Sequence, residues 1–222
     1  MTERVVAPER LPRIDAVTSS HNHTDHLDAE TLLPVIGANP DVAVIVGEAN
    51  RDFAADRLGL PPERLLGVDE GATVGARGFR ITAVPAAHER LERDERGRCR
   101  FLGYAIEADG RTIYHSGDTV RFDGIAERVR AFAPDVALLP INGRDPARGV
   151  AGNLDGREAA VLARDIGAGL AVPCHYEMFE FNTASPELFV AECERLAQPY
   201  RVLRAGERLT LVSSGRARRP RG

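Results

Sequence analysis

The sequence predicts one α/β domain in which two sheets are flanked by helices. Three observations carry that expectation. The runs Asp41-Val42-Ala43-Val44-Ile45-Val46-Gly47 and Asp135-Val136-Ala137-Leu138-Leu139-Pro140 are β-rich and nearly all apolar, as suits strands buried on both faces. Strand-like and helix-like segments alternate along the chain, without an internal repeat or a linker-like stretch. Chemically distinctive residues recur just past strand ends, where α/β folds assemble their sites.

Taken in order, residues 1–13 are polar, contain Pro8 and Pro12, and read as an extended lead-in. A short apolar run, Ile14-Asp15-Ala16-Val17-Thr18, reads as a strand, and Asp28 then caps a helix through Ala29-Glu30-Thr31-Leu32-Leu33. After the strand at 41–47, residues 48–58 look helical and Gly59-Leu60-Pro61-Pro62 stops them. Short strands follow near 65–68 and 72–74, and residues 78–85 alternate as a longer strand should. Residues 89–98 are charged and lack apolar periodicity, so a mobile loop is expected. Asp109-Gly110 marks a hairpin between strands at 100–107 and 111–115. A helix at 123–132 leads to the strand at 135–140 and then to a loop running through Asn153. Asp155-Gly156-Arg157-Glu158 resembles a capping box and starts a helix to about Ile166. A strand ends on Cys174-His175-Tyr176, and Ser185-Pro186 opens the last helix with Ser as its cap. Strands near 200–203 and 207–211 are expected to close the sheet, before a basic, disordered tail at 215–222.

Composition bounds the function. Hydrophobic content of 43% and charged content of 28% over 222 residues are those of an ordinary globular domain. A net charge of -4 argues against a nucleic-acid or membrane partner and leaves a small-molecule substrate; a homo-oligomer stays open. All 29 basic residues are Arg, which reads as a bias in codon composition. Cys99, Cys174 and Cys193 are odd in number and widely spaced, so reduced, mostly buried thiols are expected in place of a disulfide framework. The N-terminus has no apolar signal region and no run approaches a membrane span, so the expected location is the cytoplasm.

The chemistry concentrates in Ser19-Ser20-His21-Asn22-His23-Thr24-Asp25-His26-Leu27-Asp28, which holds three of the six histidines. Imidazole is the commonest transition-metal ligand and a carboxylate adds a harder oxygen. If the preceding strand runs to Ser20, residues two apart point the same way, and His21 and His23 can grip one ion together. A solvated, His-rich turn is the bland alternative. His88, Asp118 and His175 each follow a predicted strand. Alone, His88 or His175 would more often be structural; as a set with the turn they point to a metal centre. His115 lies three residues before Asp118 and is either support for that centre or a core histidine. Cys174 sits beside His175 but points the opposite way on a strand, which favours a buried structural thiol. The chain carries no Gly-x-x-x-x-Gly-Lys loop, no His-Glu-x-x-His helix and no Gly-x-Ser-x-Gly elbow.

The His-x-His-x-Asp-His pattern resembles the metallo-β-lactamase superfamily, which implies an αββα sandwich with two metal positions at one edge. By that resemblance one ion takes His21, His23 and His88, the other takes Asp25, His26 and His175, and Asp118 bridges them. Three further segments are similar to the L-ascorbate-6-phosphate lactonase family, a branch of this fold: Tyr114-His115-Ser116-Gly117-Asp118-Thr119, Pro140-Ile141-Asn142-Gly143-Arg144-Asp145, and Pro173-Cys174-His175-Tyr176-Glu177-Met178-Phe179 followed by Asn182-Thr183. The resemblance spans about Ile14 to Leu211. It implies metal-dependent hydrolysis of a lactone or ester of a small, phosphorylated sugar acid through a metal-activated hydroxide, with up to two ions of Mn2+ or Zn2+. Asp25 would orient the water and shuttle a proton. An Arg fork suits a phosphate or carboxylate, so Arg144 is the expected contact for substrate charge, with Asn142, Tyr176 and Asn182 as polar contacts. A structural turn is the alternative for the Asn-Gly-Arg-Asp loop. A phosphodiesterase on the same fold is the alternative activity. Family members carry a first β-hairpin before the histidine turn; the residues before Ile14 do not resemble one, so the expectation is that either the chain starts late or one sheet is short by its first strands.

Overall fold

The computed structural model describes residues 4–145, 152–177 and 183–211. The expected tail lies outside these, as does Asn182. Among the described residues nine strands form two sheets, one of three strands in the order β1-β2-β3 and one of six in the order β4-β5-β6-β7-β8-β9. The smaller sheet consists of β1 (Ala16–Thr18), β2 (Ala43–Gly47) and β3 (Leu65–Val68), all parallel. The larger runs through β4 (Thr73–Ala76), β5 (Phe79–Pro85), β6 (Leu102–Ala108) and β7 (Arg111–His115), which are antiparallel neighbours. It continues in parallel into β8 (Val136–Pro140) and β9 (Leu170–Cys174). Helices α1 (Ala29–Ala38) and α2 (Arg51–Leu58) accompany the small sheet; α3 (Ile125–Arg130), α4 (Gly156–Asp165) and α5 (Glu187–Leu196) accompany the large one.

Three apolar clusters define the layers. Val44 and Val46 of β2 pack with Leu58, Ala54 and Ala55 of α2. Ile45, one residue out of phase, joins Ile81, Ala83, Leu102 and Tyr104 between the sheets. On the far side Ala105, Tyr114, Ala137 and Leu139 meet Ile125, Val129, Leu162 and Phe189 from the outer helices. The period-2 alternation of strands therefore places each sheet between two apolar layers, the αββα arrangement. The nearly all-apolar β2 is explained by burial on both faces.

Local signals act as expected at several junctions. The Asp28 carboxylate accepts from Glu30 N at 3.1 Å and from the Thr31 hydroxyl at 2.5 Å, and α1 continues past Pro34 to Ala38. Asp155 and Glu158 form the reciprocal capping box at the start of α4. Asp109 and Gly110 take φ of 48° and 77° in the two-residue turn between β6 and β7. The Cys99, Cys174 and Cys193 thiols are free.

Some expectations need correction. No strands form near 200–203 or 207–211: Tyr200 makes a single bridge to Ala171, and the chain then turns. Glu207 takes the Arg204 amide and the Arg201 guanidinium, so local hydrogen bonding competes with the ladder. The helix expected at 123–132 is confined to Ile125–Arg130, because Gly124 enters it at φ 85°. The last helix is preceded by Pro186, already in the right-handed helical region, and Ser185 only accepts from Glu187 N at 3.3 Å. The charged stretch at 89–98 is tied down: Asp94 accepts from the amides of Arg96 and Arg98, both at 2.9 Å, and Arg93 pairs with Glu70 at 2.5 Å.

Candidate metal centre

The histidine turn begins where β1 ends. Ser19 N still donates to Ile45 O, and then the chain coils, with Leu27 N bonding His23 O at 2.9 Å. Leu27 is buried in the cluster beneath α1 and anchors the turn, while the Arg57 guanidinium holds Asn22 O at 2.6 Å. The turn thus presents His21, His23, Asp25 and His26 from a fixed base.

The other candidate ligands arrive on loops that brace one another. Ala87 N donates to the Thr119 hydroxyl at 3.0 Å and Val120 N to Ala87 O at 2.7 Å, tying the segment after β5 to the one after β7. Gly117 allows this close approach: at φ +61°, a Cβ there would lie 2.6 Å from Leu102 O and 2.7 Å from the Ser20 Cβ. His175 leaves β9 at φ 58°, an unusual conformation for a residue other than glycine.

Three overlapping groups can each bring three ligand atoms within 4.8 Å of one another: His21, His23 and His88; His21, His26 and Asp118; and Asp25, His26 and His175. Asp118 lies between the two ends of the cluster, its carboxylate 3.2 Å from His26 Nε2, 3.3 Å from His175 Nε2 and 3.9 Å from His88 Nε2. Asp25 Oδ2 sits 3.3 Å from His175 Nε2. His21 and Asp118 form a buried floor, whereas His23 and Asp25 are exposed, so the centre opens to water on one side. The Phe101 ring lies 5.2 Å from His21, 5.4 Å from His88 and 6.3 Å from His23 by ring centroids, and walls one flank.

Electrostatics follow from that crowding. Burial, reinforced by the nearby His26, pushes His21 down to about 2, and burial likewise lowers His23. Burial opposes ionisation of Asp118, but His175 and His26 outweigh it and hold the carboxyl well below its usual range. Contact with His175 lowers Asp25 to about 2. Burial works against a charge on His175, yet Asp118 and Asp25 raise it to about 10.

These residues fit a bound metal. His21 Nε2 and His175 Nδ1 are buried without a hydrogen-bond partner, His175 Nε2 has only the two carboxylates 3.3 Å away, and such orphaned atoms need an explanation. The Nδ1 atoms of other rings are occupied: His88 Nδ1 donates to Gly152 O at 2.7 Å, and His21 and His26 Nδ1 both reach the Ser20 hydroxyl, at 3.0 and 2.9 Å. That leaves their Nε2 atoms as donors to a cation.

His115 is pushed down to about 4 by burial and then by His26, which places it within electrostatic reach of the centre. Its neighbour Tyr114 faces the outer helices, so His115 faces the space between the sheets. Cys174 is pushed up to about 12 by burial, as befits an inert thiol.

The expected substrate contacts are engaged within the protein. Arg144 forms a fork with Glu158, at 3.0 and 2.7 Å, and also holds Asn153 O at 3.1 Å. Asn142 Oδ1 accepts from Asn153 Nδ2 at 3.0 Å, and the Tyr176 hydroxyl donates to Leu203 O at 2.9 Å. Asn142 and Arg144 nevertheless line a cleft of about 220 Å³, together with Asp155, Ser185 and Leu188. Sequence reasoning missed Ser20, Phe101, Thr119 and Gly152. Ser20 adjoins the histidine motif, a usable signal; Gly152 acts through its carbonyl, which no residue type announces.

Comparison with known proteins agrees with this geometry. The model of the Beta-lactamase superfamily domain matches residues 2–176. A UPF0173 metal-dependent hydrolase of Methanoregula boonei is 34% identical over 184 residues, covering 82% of this chain and 75% of its own length. Among solved structures, Igni18, a metallo hydrolase from Ignicoccus hospitalis, superposes with a TM-score of 0.71 at 26% identity, over 90% of this chain and 80% of that one. The metallo-beta-lactamase fold protein YhfI of Bacillus subtilis shares the fold, with a TM-score of 0.64 at 19% identity, over 90% of this chain and 77% of that one. Nothing among the described residues is a helix long and apolar enough to cross a membrane. With the four-layer fold, the clustered His and Asp side chains and these relatives together, the chain belongs to the UPF0173 metal-dependent hydrolase family of the beta-lactamase superfamily.

Proposed function

We propose that this hydrolase opens a lactone or related ester of a small, phosphorylated sugar acid, using a pair of Mn2+ or Zn2+ ions. The observation that carries the reading is the position of Asp118, within 3.2–3.9 Å of a histidine nitrogen from each end of the cluster. His21, His23 and His88 would hold one ion, Asp25, His26 and His175 the other, and the Asp118 carboxylate would offset the repulsion between them. When bound, such a pair acidifies a water molecule and polarises a carbonyl oxygen. The water oxygen adds to the carbonyl carbon, the ring C–O bond breaks, and the departing alkoxide takes a proton. Asp25 lies on the exposed rim and is the group suited to orient the water and carry that proton through Oδ2.

The choice of substrate class rests on the similarity of the Asn142–Asp145 and Pro173–Tyr176 segments to lactonases, and on the small cleft that Asn142 and Arg144 line. Arg144 would exchange Glu158 for the substrate's phosphate, a swap of one anionic partner for another. Tyr176 and Asn182 are further candidates for polar contact.

The test is a side-by-side assay of the Mn2+- or Zn2+-loaded chain on a phosphorylated sugar lactone and on bis-p-nitrophenyl phosphate. Faster turnover of the lactone, lost in Asp25→Asn, is the expected result. Preference for the phosphodiester would overturn the substrate class, and full lactonase activity in Asp25→Asn would overturn the role of Asp25.

A further inference from the structure

We propose that Ser20 is a positioning residue that sets the tautomer and aim of two histidines at once, one belonging to each proposed ion. This rests on the two-ion reading above and goes beyond it, because Ser20 is not itself a ligand.

The hydroxyl is placed for it. Ser20 is only 4% exposed, and its Oγ lies 3.0 Å from His21 Nδ1 and 2.9 Å from His26 Nδ1. The residue cannot drift, since its carbonyl accepts from Leu102 N at 3.0 Å and its Cβ lies against Gly117, where an added Cβ would come within 2.7 Å. A neutral imidazole carries one proton, on either nitrogen. A ring that offers its Nε2 lone pair to a cation must carry that proton on Nδ1 and needs an acceptor there. One hydroxyl oxygen has two lone pairs and can accept from both rings. His21 Nε2 is then left buried and without a hydrogen-bond partner, and His26 Nε2 lies 3.2 Å from Asp118.

The arrangement spans the cluster. In the two-ion reading His21 goes with His23 and His88, and His26 with Asp25 and His175, while Asp118 groups with His21 and His26 together. His88 is fixed independently by the Gly152 carbonyl at 2.7 Å. Loss of the Ser20 hydroxyl therefore strikes one ligand at each position, whereas loss of the Gly152 contact strikes only one position. Ser19 supplies the control: it is similarly buried, but its hydroxyl donates to the His21 carbonyl and makes no hydrogen bond to an imidazole among the described residues.

The experiment is a Co2+ titration of the metal-stripped full chain, followed by visible absorbance, with Zn2+ competition to resolve the two steps. Ser20→Ala should weaken both steps by about 10–100-fold, the range for losing a group that orients a metal ligand. Ser19→Ala should leave both near wild type. Ser20→Cys is only somewhat larger and offers only a weak acceptor; it should behave like Ser20→Ala and serves if that variant folds poorly. Unchanged affinities in Ser20→Ala, weakening of a single step, or wild-type affinities in Ser20→Cys would each overturn the proposal. A wild-type chain that takes up no Co2+ would overturn the two-ion reading itself, a separate outcome.

Discussion

The histidine turn and the Asn142–Asp145 loop both crowd polar side chains at the end of the sheets, and they spend them in opposite ways. In the turn and its partners, His21 Nε2 and His175 Nδ1 are buried without hydrogen bonds. In the loop, Arg144 is forked onto Glu158 and Asn142 is bonded to Asn153. A buried polar atom left unmatched costs about 1–3 kcal/mol, so a protein retains several together only where something else satisfies them. The loop set is nearly matched, with Asn153 Oδ1 its one buried oxygen without a hydrogen bond among the described residues, and it stabilises the fold by itself. The difference between the regions is thus one between a site poised for a ligand and a brace that must be opened to become one.

The largest expected effect comes from removing the shared carboxylate. Asp118→Ala should lower hydrolysis by about 10³-fold or more, since loss of metal assistance costs several kcal/mol at the transition state. The fall should accompany lost metal, read by elemental analysis of the purified variant. Next is the packing that closes the turn against the Asp118 loop. Gly117→Ala forces a Cβ into Leu102 O and Ser20 at positive φ, and should destabilise the fold by about 2–4 kcal/mol in a denaturant melt.

Arg144→Ala separates the two descriptions of the loop. As a substrate contact, its loss should raise KM about tenfold with kcat nearly unchanged. As a brace only, it would leave KM untouched and lower stability by about 1 kcal/mol or less, because the pair is partly exposed. The smallest effect belongs to Tyr176→Phe, which loses one hydrogen bond to Leu203 O, about 1 kcal/mol of stability. Metal content should not change.

The same contrast explains what the sequence disclosed. The candidate metal ligands are legible because few residue types serve and because strand-end spacing brings them together; His21, His23, Asp25, His26, His88, Asp118 and His175 all fall within one cluster. The core strands were legible from apolar runs, and β2 reads as buried on both faces because it is. The expected closing strands were not, because Glu207 captures Arg201 and the Arg204 amide across a turn, an outcome of tertiary placement that strand propensity does not register. The fork between Arg144 and Glu158 joins residues 14 apart across a loop and a helix cap, and no local pattern announces it. Ser20 was visible as a residue but not as a shared acceptor, since that depends on the path of the turn bringing His21 and His26 around one hydroxyl.

The most direct test of the central claim, that these seven residues form one two-ion centre, is the metal content of the purified chain by elemental mass spectrometry, with hydrolysis measured in the same sample before and after chelation. Close to two divalent ions per chain are expected, with turnover that disappears with chelator and returns when Mn2+ or Zn2+ is restored. Turnover that persists after the chain has been stripped of metal would contradict it.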